Sequence, residues 1–125
     1  NILETKDFND LNDILVCTYK TTENNYNLVT KVTYNFSSNG LSNYEVSKES
    51  IKLKEDEIYS YKDEFEKEAE LLTGKVTDLT FDENSLKYKL DLVSYTDSEV
   101  KPLYSLATTK REIKLKEENS KWSCN

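Results

Sequence analysis

The sequence predicts an α+β fold: an antiparallel sheet of about five strands, ordered β-β-β-α-β-β-α, with the helices packed on one face. Three observations predict it. Period-two apolar alternation fills residues 13–53 and returns at 75–92. Between these runs, Ile58, Tyr61, Phe65, Ala69 and Leu72 recur at intervals of three and four, the mark of an amphipathic helix. Turn signals separate neighbouring alternating runs, so strands adjacent in sequence pair as hairpins. Helices gathered on one face of such a sheet close the core and leave the other face to water.

The elements follow in order. Residues 1–12, NILETKDFNDLN, are polar with scattered Ile2, Leu3, Phe8 and Leu11, and read as a linker or short helix before a single domain at 13–125. From Asp13 to Thr22, Leu15, Cys17 and Tyr19 share one face and Val16, Thr18 and Lys20 the other. ENNYN at 23–27 predicts a turn. Leu28, Thr30, Val32, Tyr34 and Phe36 then alternate with Val29, Lys31, Thr33 and Asn35. SSNG at 37–40 is a hairpin signal, because Asn-Gly accepts positive φ angles. A third strand runs over 41–53, and its apolar phase slips between Val46 and Ile51, which predicts a bulge or bend there.

The helix is expected over 55–73, with Asp56 and Glu57 suited to its start and Gly74 to its stop. A second hairpin follows. Thr77, Leu79 and Phe81 lie on one face of a strand over 75–81, DENS at 82–85 turns, and Leu86, Tyr88, Leu90 and Leu92 alternate beyond it. Pro102 breaks the pattern. Over 109–119, Ile113 and Leu115 alternate like a strand, yet KREIKLKEEN is made of helix formers, and Thr109 and Glu112 have capping-box spacing. A helix is predicted there, after which SKWSC returns to the sheet.

Composition excludes several functions. The 125 residues hold 33% charged and 36% hydrophobic residues and carry a formal net charge of -7, so nucleic acid and anionic lipid are not expected partners. Nine tyrosines, four phenylalanines and one tryptophan argue for an ordered, thin core rather than disorder. No apolar run approaches the roughly 20 residues of a membrane span. The chain starts at Asn1 and contains no methionine, so a processed product is expected, with room for a removed N-terminal anchor.

Two cysteines remain, Cys17 in the first strand and Cys124 next to the end. Two independent thiols would leave one on a frayed, exposed terminus. A metal pair cannot complete a zinc site without further ligands, and there is no histidine. A disulfide from Cys17 to Cys124 explains the placement best. It closes a loop of about 107 residues, worth roughly 4–5 kcal/mol, and places folding outside the reducing cytoplasm. Trp122 would be held near the sheet by the same staple.

LVCTYKTTE at 15–23, VTKVTYNF at 29–36, the helix over 55–73, LKYKLDLVSY at 86–95 and KWSC at 121–124 together resemble the small bacterial lipoprotein or membrane-anchored domains of the YehR-like type. The resemblance covers most of the chain from Ile14 onward, leaving 96–108 without a counterpart. It implies a domain outside the cell, tethered to a Gram-positive-type membrane, with no established activity and no site residues to carry over. NFS at 35–37 fits the N-glycosylation pattern, but the bacterial resemblance and its place inside a strand set it aside.

Candidate chemistry is thin. With no histidine the commonest general base is missing, and Gly40 and Gly74 cannot form a phosphate loop. The acids at 55–57 and Asp63, Glu64, Glu66, Glu68 and Glu70 lack calcium-loop spacing and read as an exposed helix face. No catalytic residue, metal or cofactor is therefore assigned. Tyr34, Tyr88 and Phe36, with Tyr19, are expected in the core; Tyr26, Tyr44, Tyr59, Tyr95 and Tyr104 are placed at its rim, where they could contact a peptide or sugar. The expected function is a non-enzymatic, monomeric, extracytoplasmic domain whose partner is an unknown protein or small ligand. An alternative is a small-ligand carrier with a pocket between the helix 55–73 and the sheet, faced by Tyr61, Phe65 or Tyr88. A weak hydrolase would require two carboxylates converging in a cleft.

Overall fold

Alternation resolves into strands close to where the sequence places them. The computed structural model describes residues 14–23, 26–38, 40–52, 61–94 and 100–125. Among these lie β1 (Ile14–Glu23), β2 (Tyr26–Ser37), β3 (Gly40–Lys52), α1 (Lys62–Leu72), β4 (Thr77–Phe81), β5 (Ser85–Asp91), α2 (Lys110–Asn119) and β6 (Ser123–Cys124). The strands form one antiparallel sheet in the order β4-β5-β3-β2-β1-β6, and both helices pack on it. The α+β class is thus as expected, with the returning C-terminal segment adding a sixth strand. The expectation for residues 1–12 falls outside the described residues. No helix among the described residues is long and apolar enough to cross a membrane.

Three boundaries differ from the sequence reading. ENNYN at 23–27 is shorter as a turn than expected, because Glu23 pairs with Tyr26 and Asn27 with Ile51 inside the sheet. The register of β2 on β3 is regular from Asn43 to Lys52, so no bulge lies between Val46 and Ile51. The irregularity is at the other end of β3: Asn35 faces Asn43 while Phe36 faces Leu41, leaving Ser42 over. That extra residue puts Leu41 and Tyr44, three apart, on the same buried face; Ile51 broke the phase because it faces outward. The predicted helix start is also corrected. Tyr61 caps α1 with non-helical backbone, and Asp63 and Glu64 occupy its first turn; Asp56, Glu57 and Ile58 lie outside the described residues.

Each helix ends for a local reason. Thr73 returns both its amide and its hydroxyl to the Ala69 carbonyl, and Gly74 at φ 80° turns the chain toward β4. The helix predicted at 109–119 is α2, opened by a full capping box. Thr109 Oγ1 accepts from the Glu112 amide at 3.2 Å, and the Thr109 amide donates to Glu112 Oε1 at 2.9 Å. The Thr109 amide, with the Thr109 hydroxyl donating to the same oxygen at 2.9 Å, holds the Glu112 carboxyl below its ordinary range. At the other end the Trp122 amide donates to the Glu117 carbonyl and the Lys121 amide to that of Glu118, a Schellman turn with Lys121 at φ 73° where glycine is usual. That turn aims Trp122 and Cys124 back at β1.

The core lies between the helices and one sheet face. Leu15, Cys17, Val32, Tyr34, Leu41, Tyr44, Val46 and Leu90 form its main cluster with Ile113 of α2. Tyr61, Phe65 and Ala69 of α1 cover Leu86 in a second cluster, and Tyr88 packs against both. Lys48, on the same sheet face, reaches Glu68 of α1 at 2.9 Å. The opposite face shows Lys31, Glu45, Glu49 and Lys87 to solvent, as its polar alternation predicts.

Candidate functional site

The cysteines meet. β6 pairs with β1 so that Cys17 stands opposite Cys124, and the two are joined as a disulfide with Cα atoms 4.1 Å apart. Beside the bond, Trp122 stacks on Tyr19 with ring centroids 5.4 Å apart, and the Asn125 amide donates to the Val16 carbonyl. The sequence reading of this staple, Trp122 included, agrees with the structure.

Tyr61, Phe65 and Tyr88 are placed under α1, where the carrier reading needs a pocket. Tyr61 and Phe65 stack at 5.5 Å and are 7% and 2% exposed, against a fully buried Leu86. Tyr88 is half-buried, and burial first, then the Glu68 charge, raises its phenol pKa. The three therefore fill the helix–sheet interface with one another, leaving little surface for a ligand.

The tyrosine sorting needs one correction. Tyr44, placed at the rim by its sequence, is 2% exposed, because it stands opposite buried Tyr34 and in phase with Val46 on the core face. Its hydroxyl accepts the Leu103 amide at 3.0 Å, fastening the segment that leads to α2. Tyr34 packs against both Tyr44 and Tyr104, and its hydroxyl donates to Glu117 Oε2 at 3.2 Å. Burial, then the Glu117 charge, raises the pKa of Tyr34; the same two causes push Tyr104 up to about 12. Lys116 Nζ lies 5.5 Å from the Tyr104 ring centre. This cluster is structural: it ties α2 to the sheet. Tyr59 and Tyr95, like the side chain of Tyr26, lie outside the described residues.

A concave feature appears on the open sheet face. A recess of about 370 Å³ is floored by Thr33 and Ser47 and walled by Lys31, Lys87 and Lys89. Register explains it. Lys31, Ser47, Lys87 and Thr80 form one row across four strands, and Thr33, Glu45, Lys89 and Thr77 the next. Short side chains in mid-row are thus ringed by long ones. The fourth side comes from β4, where Thr77 faces Lys89 but Thr80 faces Lys87, so an extra residue is inserted. Asp78, in the left-handed region at φ 57°, is in that bulge and lines the recess. The face expected for Thr77, Leu79 and Phe81 is broken by this bulge, and Phe81 is 44% exposed.

The sequence reading missed this recess. Its residues belong to four separate strands, and most of them alone read as the wet side of a strand. Among the described residues, no group of three or more cysteine, aspartate or glutamate side chains could hold a metal ion, and the acidic α1 face lends Glu68 to Lys48. No protein-family profile matches the chain, and no curated protein or solved structure is significantly similar to it.

Proposed function

We propose that this is a non-enzymatic, extracytoplasmic domain of a membrane-anchored bacterial protein, serving to bind rather than to turn over a partner. The observation that carries the reading is the Cys17–Cys124 disulfide, a bond that persists in oxidising compartments and is rare in the cytosol. The anchor and the Gram-positive setting rest on the YehR-like resemblance. A first strand stapled to a terminal cysteine, with the long helix between two hairpin units, supports that kinship. A sequence without histidine supports the non-enzymatic reading.

The hydrolase reading has one geometric point in its favour, since Glu45 and Asp78 both line the recess. Both residues are exposed, however, and a glycosidase acid needs an apolar surround to keep its proton. The binding reading is therefore preferred.

Maleimide labelling of the denatured, unreduced protein taken from its native cells tests the compartment. No labelling before reductant and two labelled cysteines after it are expected, together with digestion by protease added to intact cells. Two reactive thiols before reduction, or protection from the protease, would overturn the assignment.

A further inference from the structure

We infer that the recess on the open face of the sheet binds a small hydroxylated anion, a sugar or polyol carrying a carboxylate or phosphate. Its volume, about 370 Å³, falls at the small end of ligand sites and suits one monosaccharide-sized unit. Three lysines surround it in a chain whose formal net charge is -7, against two lining acids, Glu45 and Asp78. Among the described residues, no ion pair within 4.0 Å engages Lys31, Lys87 or Lys89. Lys48 on the opposite face, by contrast, is paired with Glu68. Lys31 and Lys87 stand on β2 and β5 with β3 between, a spacing of about 10 Å that lets two ammonium groups flank one ring or converge on one anion.

The floor and rim complete the chemistry. Thr33, Ser47 and Thr80 line the recess with hydroxyls that can donate or accept, so a ligand bearing only charge would leave them unused. Glu45 and Asp78 accept hydrogen bonds from ligand hydroxyls and disfavour a bare polyanion. The bulge that carries Asp78 turns the edge strand into the fourth wall, and such irregularities recur where a sheet re-aims a side chain at a site. The floor sits on β2 and β3, backed by the packed core, so the groups are held on rigid strands.

This proposal deepens the binding reading above, but its test is made on purified protein and fails independently of where the domain resides. The oxidised protein is titrated with glucuronate, glycerol 3-phosphate, glucose and acetate, following backbone amides by NMR. Glucuronate or glycerol phosphate should shift the amides of Thr33, Ser47 and Lys87 with a Kd of about 1 mM. Saturation by the first alone identifies a carboxylated sugar, by the second alone a phosphorylated polyol. Glucose and acetate should bind about tenfold more weakly or not at all, since each lacks half the chemistry. Lys31→Gln/Lys87→Gln, two exposed changes that leave the spectrum dispersed, should weaken binding about fivefold or more. The inference is overturned if neither hydroxylated anion moves those amides, if acetate or glucose binds equally well, or if the double variant binds unchanged.

Discussion

Removing the staple is the sharpest test of how this chain holds together. Cys17→Ala/Cys124→Ala cuts a link between residues separated by 107 positions. In the chain-entropy model a loop of that length restrains the unfolded state by about 16 cal/mol/K, or about 4.8 kcal/mol at room temperature. For a chain of 125 residues the unfolding entropy is about 0.26 kcal/mol/K, so the melting temperature should fall by about 18 °C. What remains at the C-terminus is slight: the Tyr19–Trp122 stack, the Asn125 amide bond and two residue pairs of β6. Cys17 is fully buried, so its lost sulfur adds to the deficit. Thermal unfolding followed by circular dichroism, with and without reductant, separates the contributions. Reductant should bring the parent down nearly to the double variant and leave the variant unmoved. A loss below about 1 kcal/mol would show that closing this loop does not restrain the unfolded chain as its length predicts, and the entropy argument would fail.

Other perturbations test other contacts. A Cβ on Gly40 would stand 2.6 Å from the Leu106 carbonyl oxygen, a backbone atom, at a φ of 121°, so Gly40→Ala should cost about 2–4 kcal/mol in urea unfolding; a neutral result would mean the 105–107 segment does not lie there. Lys121→Gly should instead gain about 0.5–1 kcal/mol, because Lys121 holds the left-handed turn position that glycine fills without strain; destabilisation would contradict the assigned Schellman turn. Alkali should unfold the protein. Tyr34, Tyr88 and Tyr104 have raised folded-state pKa values, by burial first and then by Glu117 or Glu68, so the fold favours their neutral phenols. Their contribution is complete below the unfolded tyrosine pKa of about 10 and is lost as pH rises through the folded values, at about 1.4 kcal/mol per pH unit for Tyr34 alone. Urea midpoints should stay level across neutral pH, fall above about pH 10, and fall less steeply in Tyr34→Phe; tyrosinate absorbance rising in a protein of undiminished stability would refute the assignment.

Local rules made most of the fold legible. Alternation located β2 and β5 because each buries one face, and capping-box spacing located α2 despite its strand-like Ile113 and Leu115. The disulfide was legible because two lone cysteines in a chain without histidine have few stable fates other than each other. Failures came where the chain departs from period two without changing composition. Ser42 is an ordinary strand residue, yet its insertion puts Leu41 on the same buried face as Tyr44 and Val46, against strict alternation. Asp78 inside TDLTF gave no warning of a left-handed residue, because aspartate is at home in strand ends and turns alike. The recess was illegible for a stronger reason. It depends on which residue of β2 lies across from which residue of β3 and β5, and register between distant segments is not written in either segment alone.

The division of the molecule into two faces explains how so small a core supports an open site. Val32, Val46 and Tyr88 stand side by side on β2, β3 and β5, on the buried face. Their immediate neighbours along those same strands, Lys31 and Thr33, Ser47, and Lys87 and Lys89, line the recess on the other. Since successive side chains point to opposite faces, packing that fixes the first set also fixes the second. Tyr88, touching both core clusters, couples the α1 side to the centre of the sheet at that point. The disulfide acts two strands away from β3, at the β1–β6 edge, where few packed residues would otherwise hold the chain end. Its role is therefore to keep the sheet and α2 together, whereas the spacing of the recess lysines is set by the central strands themselves. A surface built this way can vary its lining without disturbing the core, because the buried side chains set the register and the outward ones only take their places on it.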